Sequence, residues 1–243
     1  MAHAGWIQTF TGRKVTPLDL RPEMIDLRDI AHSLAIQARF SGHTTAPSSV
    51  AQHSVLVSFY CDEADALWGL LHDASEAYLI DLPRPLKALE SIGRPYLEAE
   101  ARAMAVICDR FGLPREMPPS VRLADDRALA TEKRDLMDIE PEDWPCLPDP
   151  LPEMMVPTGW REAKQKFLGR FRVLVPEYEA LEEALRPLET RYEVMVSEFH
   201  RARLHPDPEE GKRYAARNRE SALAIRAEIQ RVVAAWWPGK AHG

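Results

Sequence analysis

The stretch Leu70–Lys87, LLHDASEAYLIDLPRPLK, sets His72 beside Asp73, with Glu76 four residues after the histidine and Asp81 just ahead of two prolines. The segment before it, EADALWGLL, is largely apolar. An apolar run of this length packs into a core, and ionisable groups in a core are costly unless they are paired or hold an ion. The stretch therefore predicts a buried helix that carries chemistry. Asp62 stands where an N-cap would start that helix, EADALWGLLHDASEAYLI, and Pro83 and Pro85 end it and force a turn.

Helical patterning continues on both sides. From Asp26 onward Ile30, Leu34 and Ala38 share one face of DLRDIAHSLAIQARF. SGHTTAPSS is a loop by composition, and Ser48 or Ser49 caps a second helix through VAQHSVLVSFY. RPYLEAEARAMAVICDRFG is an amphipathic helix stopped by Gly112. PSVRLADDRALATEKRDLM and GWREAKQKFLGRFRVLV are two more. Near the N-terminus, WIQTFTGRKV alternates enough for a short strand or hairpin that turns at Gly12. Residues 141–157 hold six prolines, too many for a helix or a central strand, and read as an ordered loop or flap.

The character changes at Pro176. Tyr178, Leu181, Leu185, Leu188, Tyr192, Met195 and Phe199 recur at alternating three- and four-residue spacing, a heptad-like stripe that Pro187 should kink. LHPDP breaks the chain, and Ala222, Ile225, Ile229, Val232 and Trp236 form a second stripe. Two such helices joined by a proline-rich turn make a helical hairpin. It either packs on its own domain or forms an oligomer contact. The expected fold is all-α: a helical bundle over residues 1–175 with a C-terminal helical hairpin extension over 176–243.

With 243 residues, 45% of them hydrophobic and 28% charged, the composition is that of an ordinary globular protein. A net charge of −7 argues against a general nucleic-acid binder, and it leaves room for a small phosphorylated substrate if a metal and local cations offset the repulsion. Cys61, Cys108 and Cys146 form no CxxC pair, so neither a disulfide framework nor a zinc ribbon is indicated, and a reduced, cytoplasmic setting is expected. The N-terminus has no apolar signal core. No run of about 18 apolar residues appears, so no membrane span is expected.

Two more ionisable residues share the predicament of His72 and Asp73. His53 sits mid-helix in SVAQHSVLVS, and Asp125 sits in VRLADDRALA. Singly, each has an ordinary reading: a histidine with one hydrogen bond, or an aspartate that is solvated or paired with a nearby arginine. Together, one metal ion would satisfy all four. Imidazole plus carboxylate suits Mn, Fe, Co, Ni or Zn better than Ca. Four protein ligands on an octahedral ion leave positions for water and a phosphate oxygen, as metal-assisted hydrolysis requires.

The order His53, then His72-Asp73, then Asp125, each on its own helix, resembles the H…HD…D motif of the HD-domain phosphohydrolases, and the AD context favours Asp125 over Asp126 as the last ligand. HDASEAYLIDLPRPLK is similar to the segment of bacterial 5′-deoxynucleotidases that reads HDASE, a short spacer, then DLP-x-P-x-K. DIAHSLAIQARFSGHT, SVAQHS and TFTGRKVTPLDLRP are similar to a related group that includes phage dATP triphosphohydrolases. The resemblance covers roughly residues 5–175. It implies an HD-domain bundle, one divalent transition metal (Mn, Co, Fe, Ni or Zn), with Mg able to accompany a triphosphate, and a deoxynucleotide substrate.

Carried over residue by residue, the resemblance implies that Glu76 and Asp81 take part in the chemistry. Glu76 is i+4 from His72 and i+3 from Asp73, over the same helix edge. It could act on the attacking water or orient a ligating histidine. Asp81 could act from another side, or cap the helix that starts at Pro83. Arg39 resembles a phosphate-contacting Arg that precedes an aromatic residue, here Phe40 where the deoxynucleotidases have Trp. Lys87 matches the Lys of DLP-x-P-x-K and would meet a phosphate tail as a point charge. His43 is placed in a loop that could reach the pocket.

No histidine lies between His72 and His200, so a site with one protein-held metal fits better than a two- or three-metal one. The chain has no GxxxxGK[ST], HExxH or PCxxC, which sets aside P-loop enzymes, zincins and zinc deaminases. The similarity of the N-terminal stretches to the phage group implies hydrolysis of a dNTP to deoxynucleoside and tripolyphosphate. A 5′-deoxynucleotidase acting on dNMPs is the close alternative. A non-catalytic HD scaffold that works through its hairpin, with a possible homo-oligomer, is the alternative of another class.

Overall fold

The computed structural model describes residues 5–139, 142, 144 and 146–236. Near the N-terminus, Gly12 at φ +80° turns the chain between β1 (Ile7–Gln8) and β2 (Lys14–Val15), which pair antiparallel with Ile7 opposite Val15. Positive φ is a region glycine enters without steric cost.

Asp26 then caps α1 (Leu27–Ile36) by accepting the backbone N–H of Arg28. Leu27, Ile30, Ala31, Leu34 and Ala35 are buried along one face. Ala38, expected on that face, lies beyond the helix end. It forms an isolated antiparallel bridge to Ser49, so the loop between them is closed at its base. Phe40, Ser41 and Gly42, all at positive φ, reverse the chain inside that loop. Ser49, one of the two serines expected to do so, caps α2 (Val50–Tyr60) by accepting from Gln52 N–H.

The helix expected over residues 63–80 is broken. A 3-10 turn at Glu63–Asp65 precedes α3 (Ala66–Leu71), and α4 (Glu76–Leu79) follows only after a turn through residues 72–75. Asp62 makes no side-chain cap. The turn is tightened by i→i+3 bonds: Ala74 N–H to Leu71 O, Glu76 N–H to Asp73 O and Tyr78 N–H to Ser75 O. Pro83 precedes α5 (Arg84–Lys87), and α6 (Glu90–Phe111) ends where Gly112 enters the left-handed region at φ +68°. Two further helices, α7 (Pro119–Leu136) and α8 (Trp160–Leu174), complete the first unit.

α2 packs against α1, α3, α7 and α8 and is the central helix of this unit. Val57, Leu70, Leu71, Ile107, Phe167 and Phe171 are fully buried around it. Each such side chain contributes about 2 kcal/mol through removal of apolar surface from water. The described part of the proline-rich segment is irregular but strapped down. Arg134 donates to the carbonyls of Leu151 and Glu153, Asp135 accepts Met155 N–H, and Gln52 bonds Val156 O and Thr158. Residues 141, 143 and 145 of that segment lie outside the described residues.

The chain divides into two compact units at Val175/Pro176. The second consists of α9 (Tyr178–Ala202) and α10 (Pro208–Ala235), the latter capped by Asp207, which accepts from Glu209 and Glu210 N–H. Arg226 donates to Tyr192, and the rings of Tyr178 and Trp236 meet edge to face, so the helices run antiparallel. Helix α9 continues through Pro187. On α10 Gly211, Ala222, Ile225, Ile229 and Val233 are buried. Val233 takes the place expected of Val232, because a straight 3.6-residue helix drifts off a strict heptad. Residues 237–243, assigned from sequence to the hairpin extension, and residues 1–4 lie outside the described residues. Among the described residues no helix is long and apolar enough to cross a membrane. The fold is all-α apart from the small N-terminal hairpin.

Candidate functional site

Three helical segments bring four side chains to one point. α2 supplies His53, fully buried; the tight turn after α3 supplies His72 and Asp73; α7 supplies Asp125. His72 Nδ1 lies 2.8 Å from the Gly69 carbonyl oxygen. A carbonyl only accepts, so this nitrogen carries the hydrogen and Nε2 presents its lone pair. Nε2 is buried and has no hydrogen-bond partner among the described residues, although Asp73 Oδ2 is only 3.1 Å away.

His53 is held in the same way. Its Nδ1 is 3.1 Å from Glu132 Oε1, and its Nε2 is 3.1 Å from Asp125 Oδ1 and 3.8 Å from Asp73 Oδ2. His72 Nε2 lies 3.9 Å from Asp125 Oδ1. An ion with bonds of about 2.1 Å spaces neighbouring ligands roughly 3.0–3.4 Å apart, so these separations are close to those of a metal shell. His53, His72 and Asp73 offer ligand atoms within 4.8 Å of one another and could hold a metal ion; Asp125 Oδ1 lies beside this group, 3.1 Å from His53 Nε2. Two imidazoles anchored through Nδ1 and converging through Nε2 is an arrangement that suits a cation.

The electrostatics agree. Burial raises the Asp73 carboxyl, but His72 and then His53 outweigh it and bring it down to about 2. Asp125 is likewise held below its ordinary range, by its hydrogen bond from His53 against the cost of burial. Burial and Arg39 oppose a charge on His53, yet Glu132 and Asp125 push it up to about 9. The centre therefore stabilises positive charge between its aspartates and imidazoles.

Asp73 and Asp125 open onto a cavity of about 780 Å³. Arg39, Phe40, His43, Glu76, Asp81, Arg84, Lys87 and Trp144 line its other walls. Glu76 is 3% exposed; its Oε1 lies 3.9 Å from Lys87 Nζ and its Oε2 has no hydrogen-bond partner among the described residues. Burial, then Asp73 and Asp81, push its carboxyl up to about 10. Asp81 does not cap the following helix. Its backbone N–H bonds Gln37 Oε1, and its side chain lines the cavity.

The cations are already engaged. Arg39 forks onto Glu132, with Nε at 3.2 and 3.1 Å and Nη2 at 2.7 Å from the carboxylate. Lys87 Nζ is 2.9 Å from Glu100 and 5.2 Å from the Tyr96 ring centroid. Phe40 meets Trp144 at 5.9 Å between ring centroids.

The residues singled out in the sequence thus face one cavity or the cluster at its wall. Sequence reasoning passed over Glu132, Arg84, Glu100 and Trp144. Arg84 donates to Asp125 Oδ2 at 3.1 Å and to Asp126 Oδ1 at 3.3 Å. Glu132 had a signal: it lies seven residues after Asp125, two turns along the same helix face. Arg84 and Glu100 had none, because an arginine between two prolines and a glutamate in a charged helix both read as surface.

No family model matches the sequence. The chain is 39% identical over 172 residues to the uncharacterized protein YfdR of Escherichia coli K12, a match covering 70% of this chain and 95% of that one. It is 40% identical over 128 residues to the uncharacterized protein RCAP_rcc00048 of Rhodobacter capsulatus, covering 49% of this chain and 64% of the relative. The extent of the first match settles the relationship: the chain belongs to the family of the Escherichia coli YfdR protein.

Proposed function

We propose that this chain is a metal-dependent phosphohydrolase of deoxynucleotides, acting first on dNTPs to release deoxynucleoside and tripolyphosphate. The observation that carries the reading is the convergence of the His53 and His72 Nε2 atoms with Asp73 and Asp125 oxygens at the wall of a cavity of nucleotide size. A divalent transition metal held there (Mn, Co, Fe, Ni or Zn) would supply electrophilic stabilisation of phosphoryl charge and an acidified water, and Mg could accompany a triphosphate.

The chain's own groups divide the remaining work. Arg39, Arg84 and Lys87 offset the charge of a phosphate tail. Each is already paired with a carboxylate, so the incoming phosphate exchanges partners rather than meeting bare cations. Burial, then Asp73 and Asp81, favour a proton on Glu76, which lines the cavity and would exchange it with the attacking water or the leaving group. Asp81 faces the same space from the far side of the α4–α5 turn. Phe40 and Trp144 offer apolar faces for the sugar or base.

The experiment is product analysis. Protein stripped of metal is incubated with dNTP and dNMP panels, with Mn²⁺, Co²⁺, Zn²⁺ and Mg²⁺ added in turn. Tripolyphosphate and deoxynucleoside from a dNTP is the expected result; phosphate and deoxynucleoside from a dNMP would make the chain a 5′-deoxynucleotidase. Either activity should fall by at least about 10³-fold in His72→Ala. A protein that binds metal yet turns over no nucleotide would exclude the reaction and favour a non-catalytic role for the scaffold and its hairpin.

A further inference from the structure

We propose that Glu132 is a positioning residue that couples the cation site to the cavity-facing Arg39, an inference that rests on the metal-site part of the reading above. Glu132 is fully buried on α7, and its two oxygens serve two masters. Oε1 lies 3.1 Å from His53 Nδ1, and both oxygens accept from the Nε and Nη2 edge of Arg39. A carboxylate that only accepts fixes the hydrogen of His53 on Nδ1 and turns Nε2 toward Asp125 and Asp73. The same oxygens set the plane of the guanidinium, whose Nη1 takes no part in the pair.

Glu132 is buried between Arg39 and His53, and both contacts are made by its carboxylate oxygens. Helix α7 thus carries both a candidate ligand, Asp125, and the group that orients another ligand two turns later. A phosphate that draws Arg39 into the cavity pulls on Glu132 and through it on His53. By reciprocity, the change that the phosphate makes in the cation's affinity equals the change that the cation makes in the phosphate's.

The test measures Mn²⁺ binding by calorimetry, with and without inorganic tripolyphosphate, in the wild type, Glu132→Gln and Arg39→Gln. A glutamine keeps one accepting oxygen and puts a donating NH2 in place of the other, where its partners are themselves donors. Glu132→Gln should weaken Mn²⁺ binding about 10- to 100-fold, the usual effect of losing the group that orients a ligating histidine. It should also diminish the effect of tripolyphosphate on Mn²⁺ affinity, leaving what direct contact between the anion and the ion supplies. In zinc-loaded protein, the downfield Nδ1–H resonance of His53 should disappear in the same variant.

Arg39→Gln supplies a test that turns on sign. Removing a nearby positive charge favours a cation by Coulomb's law alone. Loss of the coupling instead frees Glu132 and weakens Mn²⁺ binding. A folded Glu132→Gln with wild-type Mn²⁺ affinity overturns the proposal. So does an Arg39→Gln that binds Mn²⁺ as tightly as the wild type or more so, and this second result decides the matter if Glu132→Gln does not fold. Nucleotide turnover is not part of the measurement. Failure of hydrolysis with intact, Glu132-dependent Mn²⁺ binding therefore sinks the proposed reaction and leaves this inference standing. A wild type that binds no divalent metal sinks both.

Discussion

At the scale of single residues, the first unit keeps several carboxyls out of water, and they divide by the company they keep. Asp73 and Asp125 face imidazoles and stay ionised. Asp29 has hydroxyl and backbone N–H partners instead. It accepts the Thr11 N–H at 2.7 Å and the Thr11 hydroxyl at 2.9 Å, and burial, then the neighbouring Asp26, push it up to about 6 from 3.8. Between these values the native state holds a proton that the unfolded chain has lost. Stability contributed by Asp29 is thus present at low pH and lost as pH rises through that window. Asp29→Asn removes the titration. Its unfolding free energy relative to the wild type should climb by about 2–3 kcal/mol between about pH 4 and pH 7, followed by urea melts. A pH-independent difference between the two proteins would show that Asp29 titrates normally. The sequence makes such residues visible only in part. His72, Asp73, His53 and Asp125 stand out because each is ionisable among apolar neighbours. Arg39 looks like a phosphate ligand from sequence, but its first partner, Glu132, is 93 residues away, and no local pattern reports a contact of that range.

At the scale of elements, the site depends on short pieces placed by longer ones. α4 and α5 have four residues each, too few to be stable alone. α4 is tied to α1, where Gln37 donates to Glu76 O and accepts from Asp81 N–H, and Ser33 donates to Ala77 O. α5 is set by its approach to α6. A Cβ on Gly93 would lie 1.8 Å from Lys87 O and 2.8 Å from Lys87 Cα. Gly93→Ala must therefore push the end of α5 outward and carry Lys87 away from Glu76 and Glu100. We expect a loss of at least about 2 kcal/mol, from backbone overpacking that no rotamer change relieves. Thermal melts measure it, and a wild-type melting curve would mean that α5 does not sit on α6 this closely. The helices themselves were largely legible, because apolar spacing and caps are local: Asp26, Ser49 and Gly112 mark ends where the structure has them. The break at residues 72–75 was not legible. Periodicity does not distinguish a continuous helix from one tightened by i→i+3 bonds, and the glycine that admits α5 reads from sequence as a weak point in a helix.

At the scale of the whole molecule, the grouped site residues and the cavity lie within the first unit, and the second unit has an apolar stripe of its own. The match to the E. coli relative takes in 95% of that protein with 172 aligned residues, so the relative is a chain of about the first unit's length. A family member of that size has little length left for an added helical pair. A chain ending at Val175 should accordingly keep its helical circular dichroism and bind Mn²⁺ with an affinity within about twofold of the full protein, the scatter expected when a deletion does not interact with the site. A larger loss would mean that α9 and α10 support the cation site from outside the first unit. Sedimentation of the same two proteins separates the readings left open for the hairpin. If it only packs on its own chain, removing it lowers the mass of each particle by the mass of the hairpin in each copy and leaves the number of copies unchanged. If it is a contact between copies, the assembly falls apart into single chains. The apolar stripes predict a hairpin whichever is true, because burial of Leu181, Leu185, Ile225 and Ile229 is satisfied within one chain.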